Sequence, residues 1–227
     1  MLFYRILATI MPYMFATTFL DFDETLFHTQ IFKNRLVEVF VRHGVPAEVV
    51  WQTFRPVEND GRESTYFDYT FEKHVKLLEE KGYLLPKGII EELEGLLKHD
   101  YRMEGAEEFV HWTRSISSEV LILSSGDKEF QMKKIASSGL EKLVSGVIIT
   151  HDHKEEIVKT LMRKDYRYLF INDNLDENKR VHEALPEVMV VSKINTFMFA
   201  EVAYRESGIP CFYTLEEIQN FITSSPY

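Results

Sequence analysis

Five short, uncharged and largely apolar runs constrain this chain more than any other feature: residues 17–20, 120–123, 147–150, 168–171 and 188–191. A strand open to water on one face alternates apolar and polar residues, whereas an unbroken run belongs to a strand covered on both faces. From Glu104 onward the runs alternate with helical patterns at 105–116, 128–138, 154–163, from Asp176, and at 197–205. A further strand is expected at 211–213, and Thr214 with Glu217 forms a capping box that opens a final helix. This alternation predicts an α/β fold, a doubly wound parallel sheet with helices on both faces. Ligands of such sheets bind outside the carboxyl ends of the strands. The residues that follow each apolar run are therefore the candidates for function.

Directly after the first run stand Asp21 and Asp23. Residues two apart on a strand share a face, so both acids converge on one place. Carboxylates held together in a partly dry site repel each other. A divalent cation removes that repulsion, and Mg²⁺ prefers oxygen ligands.

Asp21-Phe22-Asp23-Glu24-Thr25-Leu26 resembles the first motif of the haloacid dehalogenase-like hydrolases, a family of mostly Mg²⁺-dependent phosphatases. Candidates for the other three motifs follow in order. The run at 119–124 ends in a hydroxyl at Ser124, Lys154 opens a helix, and the run at 168–173 ends in Asp173. There are departures. Asn172 stands where the fourth motif often has glycine, and the second acid of that motif is either Asp176 or Glu177. The third motif is Lys154-Glu155 in place of the common Lys-Pro, and its interval to Asp173 is short for the family.

The resemblance implies roles. Asp21 is expected to be the nucleophile and Asp23 the general acid and base, a task that calls for a pKa above the ordinary carboxylate value. Asp21, Asp173 and the Asp23 carbonyl are expected to hold Mg²⁺. Ser124 and the amides of Ser125 and Gly126 are expected to bind the phosphate, and Lys154 to neutralise it. An acid at position 23 favours a phosphatase or phosphomutase over a dehalogenase, because by resemblance dehalogenases lack it. A phosphotransferase of the same family, a protein phosphatase with the related Asp-Leu-Asp-Glu-Thr-Leu motif, and an inactive binding module are the alternatives.

Between the first two motifs, residues 27–103 read as helical, with Thr29 as a cap, Gly44 and Gly82 as terminators, and Pro46 and Pro86 as starters. This resembles the helical C1-type cap of the family, which gives a division into a core of residues 1–26 and 104–227 and a cap of residues 27–103. A roofed site implies a small phosphorylated metabolite as substrate. Arg55 and Arg62 flank an Asn59-Asp60-Gly61 turn, from which Arg62 is a candidate for reading the substrate's remote end. Tyr66, Phe67, Tyr69 and Phe71 read as cap core. His151 and His153 lack a third ligand and read as a polar loop.

The 227 residues suffice for one core plus a small second domain, and the net charge of −10 argues against nucleic-acid and membrane-surface partners. The single cysteine, Cys211, excludes an internal disulfide and fits a reducing cytoplasm. The apolar segment 1–15 abuts the first strand without a spacer, so a short extension packed on the core is expected rather than a signal peptide. Oligomeric state is left open between monomer and homodimer.

Overall fold

The computed structural model describes residues 14–59 and 68–225. Its strands are β1 (Phe15–Leu20), β2 (Ser117–Ser125), β3 (Gly146–Thr150), β4 (Tyr168–Asn172), β5 (Val188–Lys193) and β6 (Cys211–Phe212). They form one parallel sheet in the order β3-β2-β1-β4-β5-β6. The chain winds outward in both directions from β1, so the topological switch lies between β1 and β4. Leu20 pairs with Ile122 on one side and Ile171 on the other. That register brings the residues just beyond each of these three strands to a common edge.

The apolar runs are continuous because both faces are covered. Val120, Ile122, Leu169, Ile171 and Val191 pack with Phe109 and Val110 of α5 (Ala106–Ile116) and with Ile218 and Ile222 of α10 (Leu215–Ser224). Their strand neighbours Phe19, Leu123, Phe170 and Val190 face the other way, against Val158 of α7 (Lys154–Leu161) and Val181 of α8 (Leu175–Ala184). Period-two alternation thus feeds two separate apolar layers. The capping box of α10 forms, Thr214 and Glu217 each accepting from the other's backbone.

Between β1 and α5 lie α1 (Thr29–Arg42), α2 (Ala47–Asn59), α3 (Phe71–Glu80) and α4 (Ile89–Leu96), with no strand of more than one bridge among the described residues. These helices pack on one another. Phe40, Val50, Phe54 and Leu78 form their shared core, in which the His74 ring bonds Thr53 and Tyr69 at 2.8 and 3.0 Å. Burial pulls His74 down to about 3, so its imidazole is neutral. Tyr69 and Phe71 belong to this core as expected, while Tyr66 and Phe67 lie outside the described residues. Two antiparallel passages join the insert to the sheet. The His28 N–H donates to the Tyr101 carbonyl at 2.7 Å, and the Met103 N–H to the Leu26 carbonyl at 2.8 Å.

Several local expectations change. Thr29 does not cap α1 but lies inside it, behind His28, and its hydroxyl turns to Asp23 instead. Thr29 does not occupy the cap position, which falls to His28, so its hydroxyl is left to donate to the carboxylate. The strand β2 extends past its apolar run to include Ser124 and Ser125. The helix expected at 197–205 is reduced to α9 (Glu201–Glu206), because Asn195 folds the preceding segment into a turn by accepting from the Phe197 and Met198 N–H groups. The segment 1–13 lies outside the described residues. Among the described residues no helix is long and apolar enough to cross a membrane.

Candidate active site

Asp21 directly follows β1, its N–H donating 2.9 Å to the Ile171 carbonyl. That bond continues the ladder by one residue and fixes the side chain over the switch point. Asp21 is 4% exposed. Its Oδ1 accepts from Lys154 Nζ at 2.6 Å, and its Oδ2 accepts only a long bond of 3.3 Å from the Thr25 hydroxyl. Burial raises the Asp21 pKa, with Glu177 and Asp23 adding repulsion against the pull of Lys154.

Lys154 opens α7 and is buried. Its ammonium is shared between Asp21 and Glu177, 2.9 Å from Glu177 Oε2. The two carboxylates raise its pKa despite the burial. Glu177 also accepts from Asn172 Nδ2 at 2.8 Å, whereas Asp176 is exposed. Of the two candidates for the second acid of the fourth motif, Glu177 is therefore the one that faces the site. Asn172, in place of glycine, is what aims it.

Asp173 is buried, with Oδ2 accepting from Asn195 Nδ2 at 2.7 Å and its carbonyl from the Tyr204 hydroxyl at 2.5 Å. Burial and the neighbouring Asp21 carboxylate push its pKa well above the ordinary value. Two buried carboxylates whose pKa values are both raised form a site where a hard cation is favoured. Asp21, Asp173 and the Asp23 carbonyl would supply oxygen donors of the kind Mg²⁺ takes, so the residue types fit the expected ion. No group of three His, Cys, Asp or Glu side chains arranged for a metal occurs among the described residues; the expected set contains two carboxylates and a backbone oxygen.

Asp23 faces a different environment. Its Oδ1 accepts from Lys134 Nζ and the Thr29 hydroxyl, and its Oδ2 from Gln131 Nε2 at 2.7 Å. Burial alone would raise its pKa, but Lys134 and these donors outweigh burial and lower it. The sequence-based expectation of a raised pKa at Asp23 is thereby corrected: the fold surrounds it with donors. Lys134 is buried, and its ammonium lies 5.1–5.8 Å from the ring centroids of Phe27, Phe22 and Phe130. Between the acids and the insert, Glu24 takes a left-handed φ of 53° and accepts from the Gln30 N–H. This turn reverses the chain into the insert.

Ser124 is buried and lies 3.3 Å from Gln131 Nε2. The hydroxyl of Ser125 is buried without a partner among the described residues, and Gly126 follows at φ +133°, a conformation that a side chain disfavours. Asp21, Asp23, Ser124, Ser125, Lys154 and Asp173 all line one cavity of about 470 Å³. Phe32, Lys33, Leu36, Phe54 and Tyr69 of the insert wall it from above. Arg62 lies outside the described residues. His151 stands 3.5 Å from Asp68 of the insert, in keeping with a polar loop. Sequence reasoning missed Gln131, Lys134 and Asn195.

No protein-family model and no curated protein matches the sequence. Solved structures do match. A proposed haloacid dehalogenase-like hydrolase from Burkholderia xenovorans is 19% identical with a TM-score of 0.70, over 91% of this chain and 96% of that one. The proposed hydrolase YfnB from Bacillus subtilis, bound to magnesium, is 17% identical with a TM-score of 0.59, over 92% and 98%. L-2-haloacid dehalogenase from Xanthobacter autotrophicus, with chloropropionic acid covalently bound, is 14% identical with a TM-score of 0.63, over 93% and 100%. The chain has the fold of haloacid dehalogenase-like hydrolases, sheet and helices together.

Proposed function

We propose that the chain is a Mg²⁺-dependent phosphatase that hydrolyses a small phosphomonoester through an aspartyl-phosphate on Asp21. The observation that carries this reading is the asymmetry of the Asp21 carboxylate. One oxygen is fixed by Lys154, and the other faces the cavity with only a weak hydroxyl contact. A carboxylate held this way is aimed, and a lysine beside it offsets the charge of an approaching phosphoryl group.

In the first half-reaction the free Asp21 oxygen forms a bond to phosphorus and the substrate's ester bond breaks. The departing alkoxide takes a proton from Asp23. In the second half, water attacks the same phosphorus, gives its proton to Asp23, and Asp21 leaves as carboxylate. The lowered Asp23 pKa favours the ionised form that the second half needs. For the first half it must gain a proton, which its contact with Lys134 opposes. Ser124 and the unpartnered Ser125 hydroxyl are placed to donate to phosphoryl oxygens. Mg²⁺ held by Asp21, Asp173 and the Asp23 carbonyl would relieve carboxylate repulsion and polarise the phosphoryl group.

The walling of the cavity by the insert favours a small metabolite over a phosphoprotein, and an acid at position 23 favours phosphate chemistry over dehalogenation. The lone cysteine suits a reducing cytoplasm. A panel of phosphorylated metabolites, sugar phosphates and 2-haloacids, with and without Mg²⁺, separates these readings. The expected result is phosphate release that stops in chelator, together with a rise in thermal midpoint on adding Mg²⁺. Halide release, phosphoryl return to a sugar phosphate, or full activity in chelator would each replace this reading.

A further inference from the structure

A second cavity of about 760 Å³ lies beside the candidate active site and shares Glu24, Asn195 and Phe197 with it as a common wall. Its volume falls within the range of small-molecule sites, and the chemistry proposed above makes no use of it. Among its lining residues is Lys193, the last residue of β5, only 8% exposed. Among the described residues its ammonium makes no ion pair or hydrogen bond. Burial lowers its pKa, and Asp173 and Glu24 oppose that only from a distance. Burying an ammonium without a contacting partner costs free energy that an arriving anion would restore. His28, also lining the cavity, is half-buried, and burial together with Lys193 lowers its pKa as well. A neutral imidazole there can still hydrogen-bond an anion.

The opposite charge sits at the mouth. Glu104 and Glu108 flank the start of α5, Glu216 lies in the first turn of α10, and all three are exposed. Apolar surface from Met103, Phe109 and Leu215 contributes to the lining. A simple anion would pair with Lys193 but be repelled by the mouth, and a simple amine would meet the reverse.

We infer that this cavity binds a small zwitterion of the amino-acid type, its anionic group on Lys193 and His28 and its ammonium among Glu104, Glu108 and Glu216. His28 and Met103 also make the backbone bonds that tie the two passages into the insert. A bound molecule would therefore rest against both passages.

The test titrates the full chain with each standard amino acid by ligand-observed NMR, with N-acetyl and C-amide forms of any binder as controls. At least one amino acid should bind saturably, and blocking either charged group should weaken it about tenfold or more, the loss expected for one charged hydrogen bond. Lys193→Gln should lose binding to a similar extent, and Glu108→Gln, at an exposed position, should weaken it without disturbing the fold. The same titration in Asp21→Asn should give the wild-type result, which separates this site from the phosphatase reading. Absence of binding by every amino acid, indifference to the blocking groups, or wild-type binding in a folded Lys193→Gln would overturn the inference. If Lys193→Gln does not fold, unchanged binding in Glu108→Lys would overturn it.

Discussion

The Asp21 side of the site and the Asp23 side use the same pair of residue types, an aspartate against a buried lysine, to opposite effect. At Asp21 the pKa is raised, and at Asp23 it is lowered. Burial pushes both upward, so the difference lies in the partners. Lys154 divides its charge between Asp21 and Glu177, and Asp23 adds further repulsion. Lys134 has one carboxylate partner among the described residues, and Thr29 and Gln131 add two more donors to it. Two carboxylates two residues apart are thus divided by how many acids share each lysine and how many hydrogen bonds favour the charged form.

The largest effect should come from the Asp21 side. Asp21→Asn should lower turnover of para-nitrophenyl phosphate by roughly a thousandfold or more, as loss of a nucleophile does, with an unchanged circular dichroism spectrum. Retained turnover would mean that the two sides have been assigned the wrong way round. Next, Lys154→Met leaves the buried Asp21 without its contacting counter-charge and Glu177 with only the more distant Arg180. It should cost about 3–5 kcal/mol in urea denaturation. A change of only a few tenths would show that Lys154 is solvated in solution and that the comparison with Lys134 fails.

The smallest expected effect is Lys134→Met, read in the pH profile. A lowered pKa means that the folded chain gives up the Asp23 proton more readily than the unfolded chain does. The resulting stability is present above the unfolded value of 3.8 and is lost as pH falls through the lower folded value. Without Lys134 the Asp23 pKa moves up, so that contribution is lost and the acidic limb of the pH–rate profile should shift to higher pH. An unmoved limb would show that Lys134 does not govern Asp23.

The two sides also differ in how far the sequence disclosed them. Asp21, Ser124 and Asp173 follow apolar runs and Lys154 opens a helix, and the resemblance to the family's four motifs singled them out; all four line one cavity. The choice between Asp176 and Glu177 needed three dimensions, because it depends on which face of α8 meets Asn172 and Lys154. The Asp23 partners had no such marker. Gln131 and Lys134 sit three apart in the interior of α6 (Lys128–Ser138) and share its buried face with Phe130 and Ile135. Two polar residues on an inward helical face look the same in sequence as two on an outward one. Thr29 carried a capping signal, but the helix begins one residue earlier than that signal implied, with His28 at the cap position. The strands were legible as unbroken apolar runs and the helical insert by its period and punctuation, whereas single polar contacts across elements leave no such pattern.

The central claim is that Asp21 itself takes the phosphoryl group. Rapid acid quench of a single turnover with para-nitrophenyl phosphate, followed by peptide mass spectrometry, tests it directly. The account predicts one added phosphoryl group on Asp21, labile to hydroxylamine and absent from Asp21→Asn. Turnover with no covalent phosphoryl group, or with the group on another residue, would contradict it.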